Sequence, residues 1–341
     1  MWPTSLTGPV RVRRGWPLYL LAAGGMMLVV VLASWLAIGS GGSAGPVYGG
    51  APPAAATWLW NGAGYTSVEI PPSGPRSNAV EMAYDRSRGL VLLWDHGCGK
   101  VVMGFTGGCH DLVNRTYAWD GRSWAPQATG TSPTAVGAGA MLYDAALQRV
   151  IYVNGAGQVW EWDGGGWRSS IPAPPGSSGD SLVAAGYEPG RNLLVMVTPA
   201  RTLTWDGSRW TAVPGGIDPA AARPDRQLVY DTALKQLVYV AKSSTWTWDG
   251  ARWTSHGQPD LGSGSAGYDP VRQVVMAVQL DDSACGKSAC PVLTWTWDGA
   301  SWTKVQVPHA PGLALTRSAT AGPPMAFDEA RGQMVLFAGA S

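Results

Sequence analysis

The stretch HGCGKVVMGFTGGCH, residues 96–110, gathers two histidines and two cysteines into fifteen positions. Imidazole and thiolate side chains are zinc ligands, so His96, Cys98, Cys109 and His110 are a metal candidate by residue type. Their spacing favours another chemistry. Neither Cys98 and Cys109 nor the second pair, Cys285 and Cys290, has the two-residue gap of a zinc knuckle, and no histidine lies near the second pair. Four cysteines in two close pairs read instead as disulfides, Cys98–Cys109 and Cys285–Cys290, formed in an oxidising compartment. No metal and no cofactor is expected. The polar residues around both pairs are the candidate ligand contacts. The first segment, 95–115, offers Asp95, His96, Lys100, His110, Asp111, Asn114 and Arg115; the second, DDSACGKSACP at 281–291, offers Asp281, Asp282 and Lys287. Asp281 and Asp282 could bind calcium, but adjacent acids are also a common solvated pair.

The elements that carry these segments are set by a repeat. TWTWDGARWT at 245–254 returns as TWTWDGASWT at 294–303, and weaker copies begin at 57, 116, 159 and 202. The Trp before Asp-Gly or Asn-Gly falls at 60, 119, 162, 205, 248 and 297. A spacing in the forties is the signature of a propeller or another array. Each decamer is two strands about a tight turn, because glycine accepts positive φ and the Asp side chain accepts from nearby backbone N–H groups. A second unit alternates with it. EMAYDRSRGLVLLW at 81, AMLYDAALQRVIYV at 140, QLVYDTALKQLVYV at 227 and three further copies each place an aromatic–acid pair and a polar turn between two apolar runs. That is another hairpin. Six copies of each half predict an all-β, six-bladed propeller with strands a to d in every blade. The chain enters on a c–d half, 57–68, and ends on an a–b half, 323–339, so the two halves are expected to pair and close the ring. The repeat positions hold most of the tryptophans, which makes them packing residues; Trp2, Trp16, Trp35 and Trp94 lie off the pattern.

The phrases MAYDRSRGLVLL and TYAWDGRSWA resemble bacterial kelch-type repeats, similar to the propeller domain of galactose oxidase, and MAFDEARGQMVLFAGAS is near the VLFGG strand ending of that family. The resemblance covers 57–339 and implies fold far more than function. The double glycine of kelch strands is lost in most copies, as in VMVTPA and VYVAKS. A copper-radical site would need paired histidines, a tyrosine crosslinked to a cysteine and a further domain. This chain has four histidines, His96, His110, His256 and His309, and its cysteines are already assigned to pairs. TWDGSRW is also similar to the sialidase Asp-box, but there one residue separates Asp from Gly and here none does.

Formal net charge is +1 and no basic cluster follows residue 14, so nucleic acid is not an expected partner. Residues 17–38 carry no charge over 22 positions, with Arg11, Arg13 and Arg14 before them. That length spans a bilayer, and the basic flank is expected to stay cytoplasmic. The expected organisation is a cytoplasmic segment 1–15, a transmembrane signal anchor 16–39, a flexible linker 40–56 and an extracytoplasmic propeller 57–341. A cleaved signal peptide is the alternative to the anchor.

Within the propeller, the tight turns are fixed by the repeat, so recognition is expected on the two long b–c connections that hold the cysteines. Glu81 is the lone acid at its position on strand a, where the other repeats carry Ala140, Ala184, Gln227, Ser265 and Pro324; it is the channel candidate. No second acid there could complete a two-carboxylate mechanism. The expected function is therefore non-catalytic binding of a protein or cell-envelope ligand, with no catalytic residue assigned. An envelope enzyme acting on carbohydrate, using Glu81 or His96 and Asp111, is the alternative.

Overall fold

The computed structural model describes residues 55–339, apart from 78, 103–107, 128–129, 138, 176–181, 214–215, 218–227, 263, 286–288, 308–309 and 315–321; of 98–112 only the backbone pairing is described. The expected anchor 16–39 and nearly all of the linker lie outside the described residues. Among the described residues no helix is long and apolar enough to cross a membrane.

Six antiparallel sheets make a six-bladed β-propeller. Blade 1 has strands a to d at Val80–Asp85, Leu90–Asp95, Arg115–Trp119 and Trp124–Pro126. Blade 2 uses Ala140–Asp144, Arg149–Val153, Val159–Trp162 and Trp167–Arg168. Blade 3 uses Ala184–Glu188, Leu193–Val197, Thr202–Trp205 and Trp210–Val213. Blade 4 uses Leu228–Asp231, Gln236–Val240, Ser244–Trp248 and Trp253–Gly257. Blade 5 uses Gly264–Asp269, Val274–Leu280, Ala289–Trp297 and Trp302–Val305. Blade 6 takes strands a and b from Met325–Asp328 and Gln333–Ala338, and c and d from Ala56–Trp60 and Tyr65–Glu69. In it Thr57 lies opposite Phe337 and Trp60 opposite Met334, so the first and last described strands are neighbours in one sheet. Adjacent a strands touch all the way round, from blade 1 through blade 6 and back.

Turn chemistry recurs in every blade. At the c–d turns Gly62, Gly121, Gly164, Gly207, Gly250 and Gly299 hold φ between +93° and +98°, a region that costs a side chain dearly. The preceding Asp, or Asn61 in blade 6, caps the turn: Asp249 Oδ1 accepts from the N–H groups of Ala251 and Arg252 at 2.8 and 2.9 Å. The same bonds hold Asp120, Asp163 and Asp298 below the usual carboxylate range. In Asp206 the Ser208 hydroxyl adds to them and brings it down to about 2. The a–b turns have a buried acid at the equivalent place. Asp269 is nearly inaccessible; it accepts from the N–H groups of Val271 and Arg272 and pairs with the Arg272 guanidinium at 2.6 Å.

The tryptophans join blades. Trp248, Trp297 and Trp119 are at most 1% exposed, and each packs beside the strand-d ring of its own hairpin. Burying a ring of this size removes roughly 150–250 Å² from water. The strand-d rings then reach the previous blade. Trp124, Trp167, Trp253 and Trp302 donate through Nε1 to the hydroxyls of Thr57, Thr116, Thr202 and Thr245 at 2.7–2.8 Å. Blade 2 has Val159 at the threonine position, and Trp210 of blade 3 donates instead to the Pro172 carbonyl. Between blades 5 and 6, Tyr65 and Thr294 share a hydroxyl bond of 2.7 Å. A second set of contacts runs between turns: the guanidinium of Arg191 in blade 3 donates to the Asp249 carbonyl in blade 4 at 2.8 Å, and Arg88 and Arg272 make the same bond to Asp163 and Asn61.

Candidate functional site

Two features depart from the repeat: the b–c connections of blades 1 and 5, and the inner end of blade 1. All b–c connections leave the same end of the propeller, the end where strands a begin. In blade 1 the segment expected as a loop contains a short two-stranded ribbon, Cys98–Val102 against Gly108–Leu112, with Lys100 opposite Asp111 and Val101 opposite Cys109. The side chains of Lys100, His110 and Asp111, and the Cys98–Cys109 pairing, lie outside the described residues. In blade 5 the connection is a 3-10 turn, Asp282–Ala284, capped by Asp281, whose Oδ1 accepts from Ser283. The Cys285–Cys290 disulfide follows directly. Cys290 is fully buried and packs with Val292 and Leu313. Strand Gly312–Ala314 adds to the outer end of strand c, Cys290 lying opposite Leu313. Asp282 lies near both sulfurs, but sulfurs joined to one another are not thiolate ligands. Lys287 lies outside the described residues.

Asp95 and His96 turn out to have different surroundings although adjacent in sequence. Asp95 is 1% exposed. It accepts from the N–H groups of Arg76 and Ser77 at 3.2 and 3.4 Å, from Gly97 N–H and from the Ser77 hydroxyl, and so ties the chain entering blade 1 to the end of strand b. His96 instead lines the central channel. Its ring stacks on Trp94 at 4.4 Å. Burial is the main cause that lowers its pKa, against the opposing field of Asp95.

The channel encloses about 900 Å³ and is walled by strand-a residues of all six blades. Its belt is apolar, with Met82, Leu142, Leu228 and Met325. Toward the a–b turns it is ringed by the aromatic of each aromatic–acid pair, Tyr84, Tyr143, Tyr187, Tyr230, Tyr268 and Phe327. Three of these hydroxyls accept from a neighbouring blade's turn: Tyr84 from Ala330 N–H, Tyr187 from Ala146 and Tyr268 from Ala233, at 3.0–3.2 Å. At that rim Arg86 makes a two-pronged ion pair with Glu329 at 2.6 and 2.9 Å. The opposite end of the channel holds Glu81.

Glu81 is partly buried in the wall and faces Gly139 N–H from blade 2. Burial pushes its pKa up to about 8, with the Gly139 bond opposing. Desolvation disfavours the charged carboxylate, so the group is neutral at pH 7. Behind Gly139 stands Tyr152, whose pKa is raised by burial first and by Glu81 second. A Cβ at Gly139 would lie 2.5 Å from the Tyr152 hydroxyl, so only glycine admits this ring there. Tyr152 and Trp94 pack at 4.5 Å, and Trp94 Nε1 donates to Asn114 at 2.8 Å. Sequence reasoning found Glu81 and His96 but not Tyr152 or Gly139. The available signal was Trp94, the one tryptophan among the described residues that lies off the repeat. Of the other histidines, His256 lies on strand d of blade 4 against Thr247 at 3.0 Å, away from this cluster, and His309 is outside the described residues.

No protein-family model matches this sequence, and no curated protein matches it. Solved structures match at the level of the whole propeller. A Bacteroides thetaiotaomicron VPI-5482 protein of unknown function is 12% identical, with 83% of this chain and 76% of that chain covered and a TM-score of 0.49. An auxiliary nutrient binding protein from the same organism is 9% identical over 83% and 76%, with a TM-score of 0.43. The Aleuria aurantia lectin in complex with Fucalpha1-6GlcNAc is 14% identical over 73% and 86%, with a TM-score of 0.46.

Proposed function

We propose that this chain is a membrane-anchored, extracytoplasmic binding module of kelch-like type that captures a protein or cell-envelope glycan through its b–c face. Residues 17–38 supply the anchor and 40–56 the tether. The observation that carries the reading is the departure from the repeat at that face, seen among the described residues in blades 1 and 5: a ribbon in blade 1, and in blade 5 a turn pinned by Cys285–Cys290 and bounded by an added strand. Such shaped connections lose less conformational freedom on binding than open loops do. The carbohydrate-enzyme alternative has weaker support. A neutral Glu81 suits a general acid, but Glu329, the other carboxylate lining the channel among the described residues, is held by Arg86 at the far rim.

The test replaces 98–112 and 281–291 with the four-residue connection of blade 3, residues 198–201. Capture of isolated envelope proteins and glycans on immobilised protein is then compared with the parent chain. A loss of at least ~10-fold in capture is expected with a cooperative thermal transition retained, its midpoint lowered by loss of the Cys285–Cys290 disulfide and the buried Cys290. Undiminished capture by the double replacement overturns the reading.

A further inference from the structure

The non-repeating residues of blade 1 converge on one point of the channel wall. Glu81 lies opposite Trp94 in the sheet; the corresponding opposed pairs in blades 2, 3 and 5 are Ala140 with Val153, Ala184 with Val197 and Ser265 with Val278. His96 stacks on Trp94, and Tyr152 approaches from blade 2 past Gly139. His96 Nε2 and the Tyr152 hydroxyl are both buried without a hydrogen-bond partner among the described residues, and unsatisfied buried polar atoms are costly to maintain. Among the described residues Glu81 has no cationic partner, and Arg86, the lining cation, is committed to Glu329 at the other end.

We propose that the channel is a binding site for a small organic amine, its ammonium held on Glu81 and its apolar body lying along Met82, Leu228, Met325 and Phe327. The ligand class follows from what the site offers and withholds. A cavity of about 900 Å³ is of the size that takes small ligands. Once ionised, the single Glu81 carboxylate selects one positive charge and repels a second carboxylate, a selectivity present near and above pH 8. The apolar belt serves hydrocarbon. A polyol would find too few hydrogen-bonding groups along the belt. Among the described residues, the titratable groups near Glu81 do not compete for the cation: His96, at the end of strand b of blade 1, is neutral near pH 7, and so is Tyr152 on strand b of blade 2. The site lies at the b–c end of the channel, with His96 opening the blade 1 connection, but it is built on strand-a residues and uses neither 98–112 nor 281–291, so it stands or falls independently of the capture reading.

Titration calorimetry on the full chain with three ligands of one shape, benzylamine, benzyl alcohol and benzoate, tests it. At pH 8 benzylamine is expected to bind at least ~10-fold more tightly than the alcohol, with benzoate weakest. Below pH 8 the amine must displace the Glu81 proton, so its affinity falls toward pH 6 and about one proton is released per ligand. Release is read by repeating the titration in buffers of different ionisation enthalpy. Glu81→Gln removes the preference for the amine; if that variant does not fold, the proton release of the parent chain decides. Equal binding of amine and alcohol, no binding of any of the three, or amine binding without proton release at pH 6 overturns the proposal. Replacement of 98–112 alone leaves benzylamine binding intact, which separates this result from the failure of the b–c reading.

Discussion

At the residue scale, the packing of indole rings and the bonding of their Nε1 groups are separate contributions. Trp248 is 1% exposed in the cluster with Val195, Leu237 and Tyr239. Trp248→Ala removes that packing and is expected to cost roughly 3–5 kcal/mol in urea denaturation, as large-to-alanine changes in cores do. Thr116→Val keeps the shape but leaves Trp167 Nε1 without its acceptor, and a loss of about 1–3 kcal/mol follows from the buried donor. Glu81 gives stability an unusual pH dependence. Its folded pKa of about 8 lies above the unfolded value near 4.5. The folded state therefore binds more protons between these pH values, and stability falls as pH rises through the window. Glu81→Gln should abolish that slope, leaving the variant more stable than the parent chain at pH 8 and level with it near pH 4.5, as read from denaturation midpoints. The Asp-Gly turns were legible in sequence because their mechanism is local: one side chain, two N–H groups and one positive-φ glycine. Tyr152 was not, since its contact with Glu81 crosses from one blade to the next and depends on a missing Cβ at Gly139.

At the element scale, strand order and strand letters follow from the alternation of two hairpin sequences, and nearly every boundary falls within a few residues of the repeat. The connection 95–115 shows where this reasoning stops. A glycine-rich, irregular sequence carries no alternation, so its pairing into a ribbon was not readable, and Asp95 looked like a loop residue although it is buried under four hydrogen-bond donors. Non-reducing peptide mapping of the protein purified without reductant should find Cys98 with Cys109 and Cys285 with Cys290. Free thiols, or a metal bound in stoichiometric amount, would contradict the first pairing. Changing Lys100, His110, Asp111, Asp282 and Lys287 together should abolish envelope-ligand capture. At Asp282, which is exposed, stability should shift by no more than about 0.5 kcal/mol.

At the scale of the whole molecule, the blades are not independent. Each strand-d ring reaches the previous blade, and strands 56–60 and 333–338 join the two ends of the chain in one sheet. Removing 323–341 deletes strands a and b of blade 6 and strips Trp124 of its contact with Phe337. The expected outcome is loss of one cooperative transition for the entire propeller; a native thermal midpoint in the truncated chain would refute shared stability. The same pairing sets an order of events during biosynthesis. Strand 56–60 is among the first propeller segments made, yet the strand it adjoins is completed only at residue 338. At a synthesis rate of about 5–20 residues per second, its bonding edge stays open for roughly 15–55 s. For that interval the nascent protein presents an unpaired β edge, a template for wrong partners.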